Sequence, residues 1–240
     1  MMKRIDPMVY VTSDLHGYPH DKFLQLLESA HFCNRDFLYI IGDIIDINGD
    51  GGVKTLCWLL DQPNIQLLLG NHEAMLLSCD FVFNADYRPE TATKEQSDKL
   101  YRYRLHGGDT TLSALQTLPQ NTKEYILEYL QEAPLYELIT VKNRDFLLVH
   151  AGLDHFRQER KLSEYSQDEL LLARPSPTDH YFDDVITIVG HTTTFAYGEK
   201  YRGKIIKART WVNIDVGAAY GQEPVLLRLD DFKQFCISGK

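Results

Sequence analysis

Six side chains in this sequence suit a divalent metal: Asp14, His16, Asp43, Asn71, His150 and His191. Carboxylate, imidazole and a neutral amide oxygen together match an ion of intermediate hardness. Manganese, iron and zinc all fit, and an all-thiolate site is excluded. A single ion rarely takes six protein ligands of this kind, whereas two ions sharing one bridging carboxylate use them economically. Two-metal centres hold their ions about 3.5–4 Å apart and stabilise in-line attack at phosphorus. Taken singly, each residue has an ordinary alternative. An Asp after a strand is usually a helix cap or turn residue, a lone His is most often a satisfied core or surface residue, and Gly-Asn-His-Glu (70–73) would simply open a helix. Their joint position decides the matter: each motif closes an apolar stretch with metal-compatible side chains.

Those stretches define the elements that must position the site. Residues 8–13, 37–41 and 65–69 read as buried strands. Between them, Pro19 opens a helix with apolar Phe23, Leu26, Leu27 and Ala30 at helical spacing. Residues 53–60 form a second helix, and a third starts near Glu73. This alternation predicts a parallel sheet with helices packed on it. In such sheets ligands bind beyond the carboxyl ends of the strands, where Asp14-Leu15-His16-Gly17, Gly42-Asp43 and Gly70-Asn71-His72-Glu73 all fall. Residues 84–133 are polar and helical in pattern, with a turn at His106-Gly107-Gly108-Asp109, and read as an insertion shaping the mouth of the site. Residues 135–141 and 145–149 form a hairpin turning near Lys142-Asn143-Arg144. Further strands are expected at 185–189, 204–206, 210–216 and 225–229. The expected fold is α/β: a four-layer αββα sandwich, two sheets face to face with helices outside, forming one domain over residues 1–240.

Composition is that of a globular protein, with 44% hydrophobic and 25% charged residues. The formal net charge of -9 argues against a nucleic-acid partner, which usually meets a basic face. No apolar run is long enough for a membrane span or a signal peptide. Cys33, Cys57, Cys79 and Cys236 form no CxxC pair and read as buried free thiols. The expected compartment is reducing cytoplasm, with no membrane partner. The sequence does not fix an oligomeric state.

Ser-Asp-Leu-His-Gly (13–17), Gly-Asp-Ile-Ile-Asp (42–46), Gly-Asn-His-Glu (70–73), Val-His-Ala-Gly (149–152) and Gly-His-Thr (190–192) resemble the signature of calcineurin-like metallophosphoesterases. More narrowly, they resemble the phosphoprotein phosphatase branch, which includes bacterial serine/threonine phosphatases and symmetrical diadenosine tetraphosphatases. The stretch Asn213-Ile214-Asp215-Val216-Gly217-Ala218 is also similar to that family. The resemblance implies a role for each residue. Asp14 and His16 bind a first metal, Asp43 bridges both ions, and Asn71, His150 and His191 bind the second, manganese being the leading choice and iron or zinc the others. A hydroxide held by the ions attacks phosphorus, His72 protonates the leaving oxygen and Asp46 orients that imidazole. Arg174 and Asn71 contact the substrate phosphate, a task that suits a guanidinium fork.

One departure stands out. The family's second motif usually continues Asp-Arg-Gly, its arginine meeting substrate phosphate, whereas this chain reads Asp46-Ile47-Asn48-Gly49. Arg102, Arg104 and Arg144 are the candidates to replace that cation. The resemblance implies a dinuclear-metal-dependent phosphatase acting on phosphate monoesters, first phosphoserine or phosphothreonine in proteins. The alternative is a symmetrical bis(5'-nucleosyl)-tetraphosphatase. Nuclease and cyclic-nucleotide phosphodiesterase branches usually carry Gly-His-x-His, and Gly190-His191-Thr192-Thr193 lacks the second histidine. A binding protein with a degraded site has only Ile47 in its favour.

Overall fold

The computed structural model describes residues 7–84 and 86–237. Its first half is the alternating unit read from the sequence: β1 (Val9–Thr12), α1 (His20–Ser29), β2 (Phe37–Ile40), α2 (Val53–Leu59), β3 (Ile65–Leu67) and α3 (Asn71–Leu77). The insertion follows as α4 (Lys94–Leu105), α5 (Asp109–Gln116) and α6 (Gln120–Gln131). The second half holds β4 (Tyr136–Val141), β5 (Arg144–Val149), α7 (Gln167–Leu171), β6 (Val185–Val189), β7 (Ile206–Lys207), β8 (Trp211–Asn213), β9 (Leu226–Arg228) and β10 (Gln234–Phe235).

The strands form two five-stranded sheets, ordered β10-β9-β1-β2-β3 and β4-β5-β6-β8-β7. Each has a parallel centre, β1-β2-β3 and β5-β6-β8, flanked by antiparallel strands. Successive side chains of a strand point to opposite faces, and here both faces are apolar. Tyr10, Leu38 and Ile40 face α1, α2 and the insertion helices. Their neighbours Val11 and Ile41 join Phe146, Leu148, Ile188 and Val212 in a core between the sheets. Leu147, Val149, Val189 and Trp211 face outward again. This double burial explains the near-continuous apolar runs that made the strands legible.

The four layers are therefore present, but the outermost, over the second sheet, is mostly irregular chain. Leu153, Tyr165, Leu170 and Tyr181 cover that sheet from the segment containing the five-residue α7. The hairpin turns on Lys142 and Asn143, both at positive φ, as a two-residue turn requires. Several expected bounds shift. The third helix starts at Asn71, because Glu73 reaches back to the Gly70 N–H at 3.1 Å. The 210–216 strand ends at Asn213, whose Oδ1 accepts from the Asp215 N–H at 2.8 Å and bends the chain away. The strand expected at 204–206 lies at Ile206–Lys207, and β10 and α7 carried too few apolar residues to be foreseen. Among the described residues no cysteine is in a disulfide, yet Cys236 is exposed and Cys33 and Cys57 are half-buried, so only Cys79 matches the expected burial.

Candidate metal centre

The loops after β1, β2, β3, β5, β6 and β8 meet at one end of the sandwich. Their backbones are held in uncommon conformations: Asp14, His16, Asp43, Asp46, Ile47 and His191 all lie at positive φ. Non-glycine residues adopt that region rarely, and such positions cluster at functional sites. The loops also interlock. Asp14 N donates to Gly42 O at 3.1 Å, His16 N to Asp43 O at 2.9 Å, and Gly190 N to His150 O at 2.7 Å. Across the two sheets, the His191 N–H donates to Asp14 Oδ1 and Oδ2 at 3.0 and 3.1 Å. A Cβ on Gly190 would lie 2.0 Å from Asp14 Oδ2, so only glycine permits this approach.

Asp43 is the centre of the arrangement. Its carboxylate belongs with His16 and His72 in one group of donor atoms and with His150 and His191 in another, each group within 4.8 Å. Asp43 Oδ2 lies 3.4 Å from His150 Nε2, 3.7 Å from His16 Nε2 and 4.0 Å from His72 Nε2. Asp14 Oδ1 lies 3.9 Å from His16 Nε2, and Asn71 Oδ1 lies 2.9 Å from His150 Nε2. The six residues read as ligands are thus brought together.

The donor set fits divalent ions. The Nδ1–H of His150 is committed to the Ile41 carbonyl at 2.8 Å, and that of His16 to the Ile45 carbonyl at 3.2 Å. A neutral imidazole so anchored presents its Nε2 lone pair, the usual arrangement of a metal-binding histidine. The His150 lone pair faces only oxygen acceptors, Asn71 Oδ1 and Asp43 Oδ2, a geometry that a shared cation resolves. His191 Nε2 is buried without a hydrogen-bond partner among the described residues. The electrostatics show the same demand for positive charge. Burial, with Asp43 nearby, pushes the Asp14 carboxyl up to about 6. Burial also raises Asp43, but His150, His72 and His16 outweigh it and hold it well below the usual carboxylate range. Burial would lower His150, and Asp43 reverses this, raising it to about 10.

His72 occupies a separate corner. Its Nδ1–H donates to Asp46 Oδ2 at 2.7 Å, leaving Nε2 toward the cleft. Burial opposes its charging, but Asp43 and Asp46 raise its pKa to about 9. Asp46 Oδ1 in turn accepts from Tyr103 Oη at 2.7 Å and Thr111 Oγ1 at 2.5 Å, both from the insertion.

These groups open into a cleft of about 540 Å³, which Arg174 also lines. Of the other arginines considered, Arg104 pairs with Asp109 at 3.1 Å, and Arg102 lines an adjoining groove. Arg144 starts β5, whose other end leads into His150, so it lies at the far end of the sheet and cannot replace the missing cation. Two residues that sequence reasoning did not single out are integral to the site. Glu73 accepts from the backbone N–H groups of Asp43, Ile44 and Ile45 at 2.8, 2.8 and 3.3 Å, fixing the Asp43 loop. Buried Asp215 lines the cleft beside His191. The only signals were Glu73's place in Gly-Asn-His-Glu and Asp215's in the 213–218 stretch.

The family model of the calcineurin-like phosphoesterases matches residues 7–216. The chain belongs to this family. Among curated proteins, it is 26% identical over 166 residues to a symmetrical bis(5'-nucleosyl)-tetraphosphatase of Acidovorax sp. (strain JS42), covering 68% of this chain and 51% of that one. The chain spans about half the length of the curated relatives it matches. Among solved structures, a protein proposed to be a diadenosine tetraphosphatase aligns over 100% of this chain and 96% of its own, with TM-score 0.66 at 16% identity. A protein serine/threonine phosphatase from Saccharomyces cerevisiae aligns over 93% of this chain and 73% of its own, with TM-score 0.57 at 17% identity. At these identities the structural likenesses speak for the phosphoesterase fold. Among the described residues, no helix is long and apolar enough to cross a membrane.

Proposed function

We propose that this calcineurin-like phosphoesterase holds two divalent ions, Asp14, His16 and Asp43 binding one and Asp43, Asn71, His150 and His191 the other. The observation that carries this reading is the placement of Asp43 in both donor groups. When bound, such ions supply Lewis acidity and a water acidic enough to serve as nucleophile near neutral pH. Manganese suits the mixed oxygen and imidazole set, as do iron and zinc.

The protein's own groups complete the chemistry. Arg174 forms no ion pair among the described residues, and its guanidinium is available to grip phosphoryl oxygens, with the Asn71 amide lining the same cleft. His72 presents its Nε2–H to the leaving oxygen, and Asp46 holds the ring by its Nδ1–H. An alkoxide leaves poorly, so such an acid contributes on the order of 10²–10⁴-fold.

Two substrate classes suit this machinery: a phosphate monoester such as phosphoserine or phosphothreonine, and a dinucleoside tetraphosphate. The rim favours the second. Ile47, Leu105, Leu172 and Tyr220 surround the cleft and are 38, 67, 50 and 65% exposed. Large apolar groups left in solvent around a site are there to meet a ligand, and a purine offers a flat apolar face. The curated relatives' names point the same way. The deciding experiment measures phosphate release from a phosphothreonine peptide and cleavage of diadenosine tetraphosphate, each with manganese and with a chelator. Chelator-sensitive cleavage of the dinucleotide alone supports this reading, and activity on the peptide alone restores the protein phosphatase. Turnover of either substrate that survives chelation refutes the metal assignment.

A further inference from the structure

The cleft does not end at the metal centre. At Asn71, His106 and Leu172 it continues into a second groove of about 470 Å³ between α3, α4 and α7. That volume lies in the range of small-molecule sites, about 300–1,000 Å³. The groove has a mixed lining. Met75 and Leu171 make it apolar, and Lys99 and Arg102 stand three residues apart on one face of α4. Asp168 is the acidic group on the opposite wall, contributed by α7.

The two cations are available to a ligand. Arg102 forms no ion pair among the described residues. Its Nε makes one long bond, 3.4 Å, to the Asp98 carbonyl, which leaves the terminal nitrogens of the guanidinium uncommitted. Lys99 pairs with the exposed Glu95 at 2.8 Å, a surface contact of little worth that an incoming anion can displace. The chain has a net charge of -9, yet each of the two joined clefts is lined by an uncommitted arginine, Arg174 in the one beside the candidate metal ligands and Arg102 in the groove. An arginine fork suits phosphate oxygens, and a thioether such as Met75 packs well on an aromatic ring.

We propose that this groove is a second substrate subsite that takes a nucleotide-like moiety beyond the scissile phosphoryl, with phosphate on Arg102 and Lys99 and the base on Met75 and Leu172. The subsite rests on the dinucleotide reading above and explains how Ile47 is tolerated: charge recognition is moved along the substrate rather than lost. A substrate too short to reach the groove does not sense it.

Kinetics on two probes, diadenosine tetraphosphate and p-nitrophenyl phosphate, with wild type, Arg102→Ala and Lys99→Ala plus Arg102→Ala, test this. The expected result is a rise of about tenfold in KM for the dinucleotide on losing Arg102, larger in the double variant. For p-nitrophenyl phosphate, kcat/KM should stay within about twofold of wild type. That activity also reports that the variants fold. Equal losses on both probes, or no change on the dinucleotide, would overturn the subsite while leaving the dinucleotide reading intact. If the dinucleotide is neither cleaved nor competes with p-nitrophenyl phosphate in wild type, the underlying reading fails and the subsite with it.

Discussion

Tyr103 donates its hydroxyl proton to Asp46 at 2.7 Å, and the other oxygen of that carboxylate receives the His72 Nδ1–H at the same distance. The helical insertion thus reaches the His72 imidazole through one buried carboxylate, with Thr111 as its second hold. Burial, and then Asp46, push the Tyr103 phenol upward, so it stays a donor at all working pH values. Replacing Tyr103 with Phe removes a bond to a charged group, at a cost of about 1.5–3 kcal/mol of stability, and loosens the imidazole. We expect kcat on alkyl phosphates to fall roughly tenfold, and kcat on p-nitrophenyl phosphate to change little, because a good leaving group needs no acid. His72→Asn should show the same selectivity more strongly while keeping its metals. Equal losses on both leaving groups would mean that Tyr103 acts only through stability.

Asp43 is shared by both donor groups, so its loss should empty both positions. Asp43→Asn is expected to reduce bound manganese, measured by elemental analysis, from two ions per chain toward none. Asn71 is proposed to bind only one of the two ions, so Asn71→Ala should retain about one ion. The wild-type melting temperature should rise with added manganese, since an ion that binds only the folded chain stabilises it. Two ions retained in Asp43→Asn would rule out the shared role.

Ile47 sits at φ 67 beside the Gly107 carbonyl, which accepts its N–H at 3.2 Å. A β-branched side chain is strained there, by about 1–3 kcal/mol. Ile47→Arg removes the branch and places a cation at the cleft wall. The expected gain is about 1.5 kcal/mol of charge-assisted phosphate binding, roughly tenfold in kcat/KM on p-nitrophenyl phosphate. An unchanged value would show that the backbone at this position aims the side chain away from the phosphoryl group.

The α7 wall of the groove depends on Glu169, which accepts from Arg160 Nη1 and Nη2 at 2.7 and 2.8 Å and from the Ser166 N–H at 2.8 Å. Arg160, and then the Ser166 N–H, lower the Glu169 carboxyl from 4.5 to about 2. A depressed carboxylate stabilises the fold above its unfolded value and loses that contribution as pH falls through the folded one. Wild type should therefore melt above Glu169→Gln at pH 6. The difference should shrink from about pH 5 and vanish only below about pH 2. A gap that does not change with pH would assign the effect to packing.

The six candidate ligands stood out because each follows an apolar strand, and strands buried on both faces announce themselves in sequence. The hairpin was legible from the polar break at Lys142-Asn143. What stayed hidden depends on long-range contact. Nothing local ties Thr111 to Asp46, 65 residues away, or shows that Glu73 serves three backbone donors of another loop. Arg102 and Arg144 looked equivalent as candidates until the ends of α4 and β5 were placed. The outer layer over the second sheet escaped because its apolar residues follow no period.

The bond between His191 and Asp14 joins positions 177 residues apart. During synthesis Asp14 leaves the ribosome early and waits until His191 has been added before its carboxylate finds that partner. Domains fold as units in this vectorial process, so a nascent or truncated chain that stops short of β6 lacks His191 and leaves the Asp14 carboxylate without that partner. The candidate metal centre is thereby completed only when the two sheets have closed on each other.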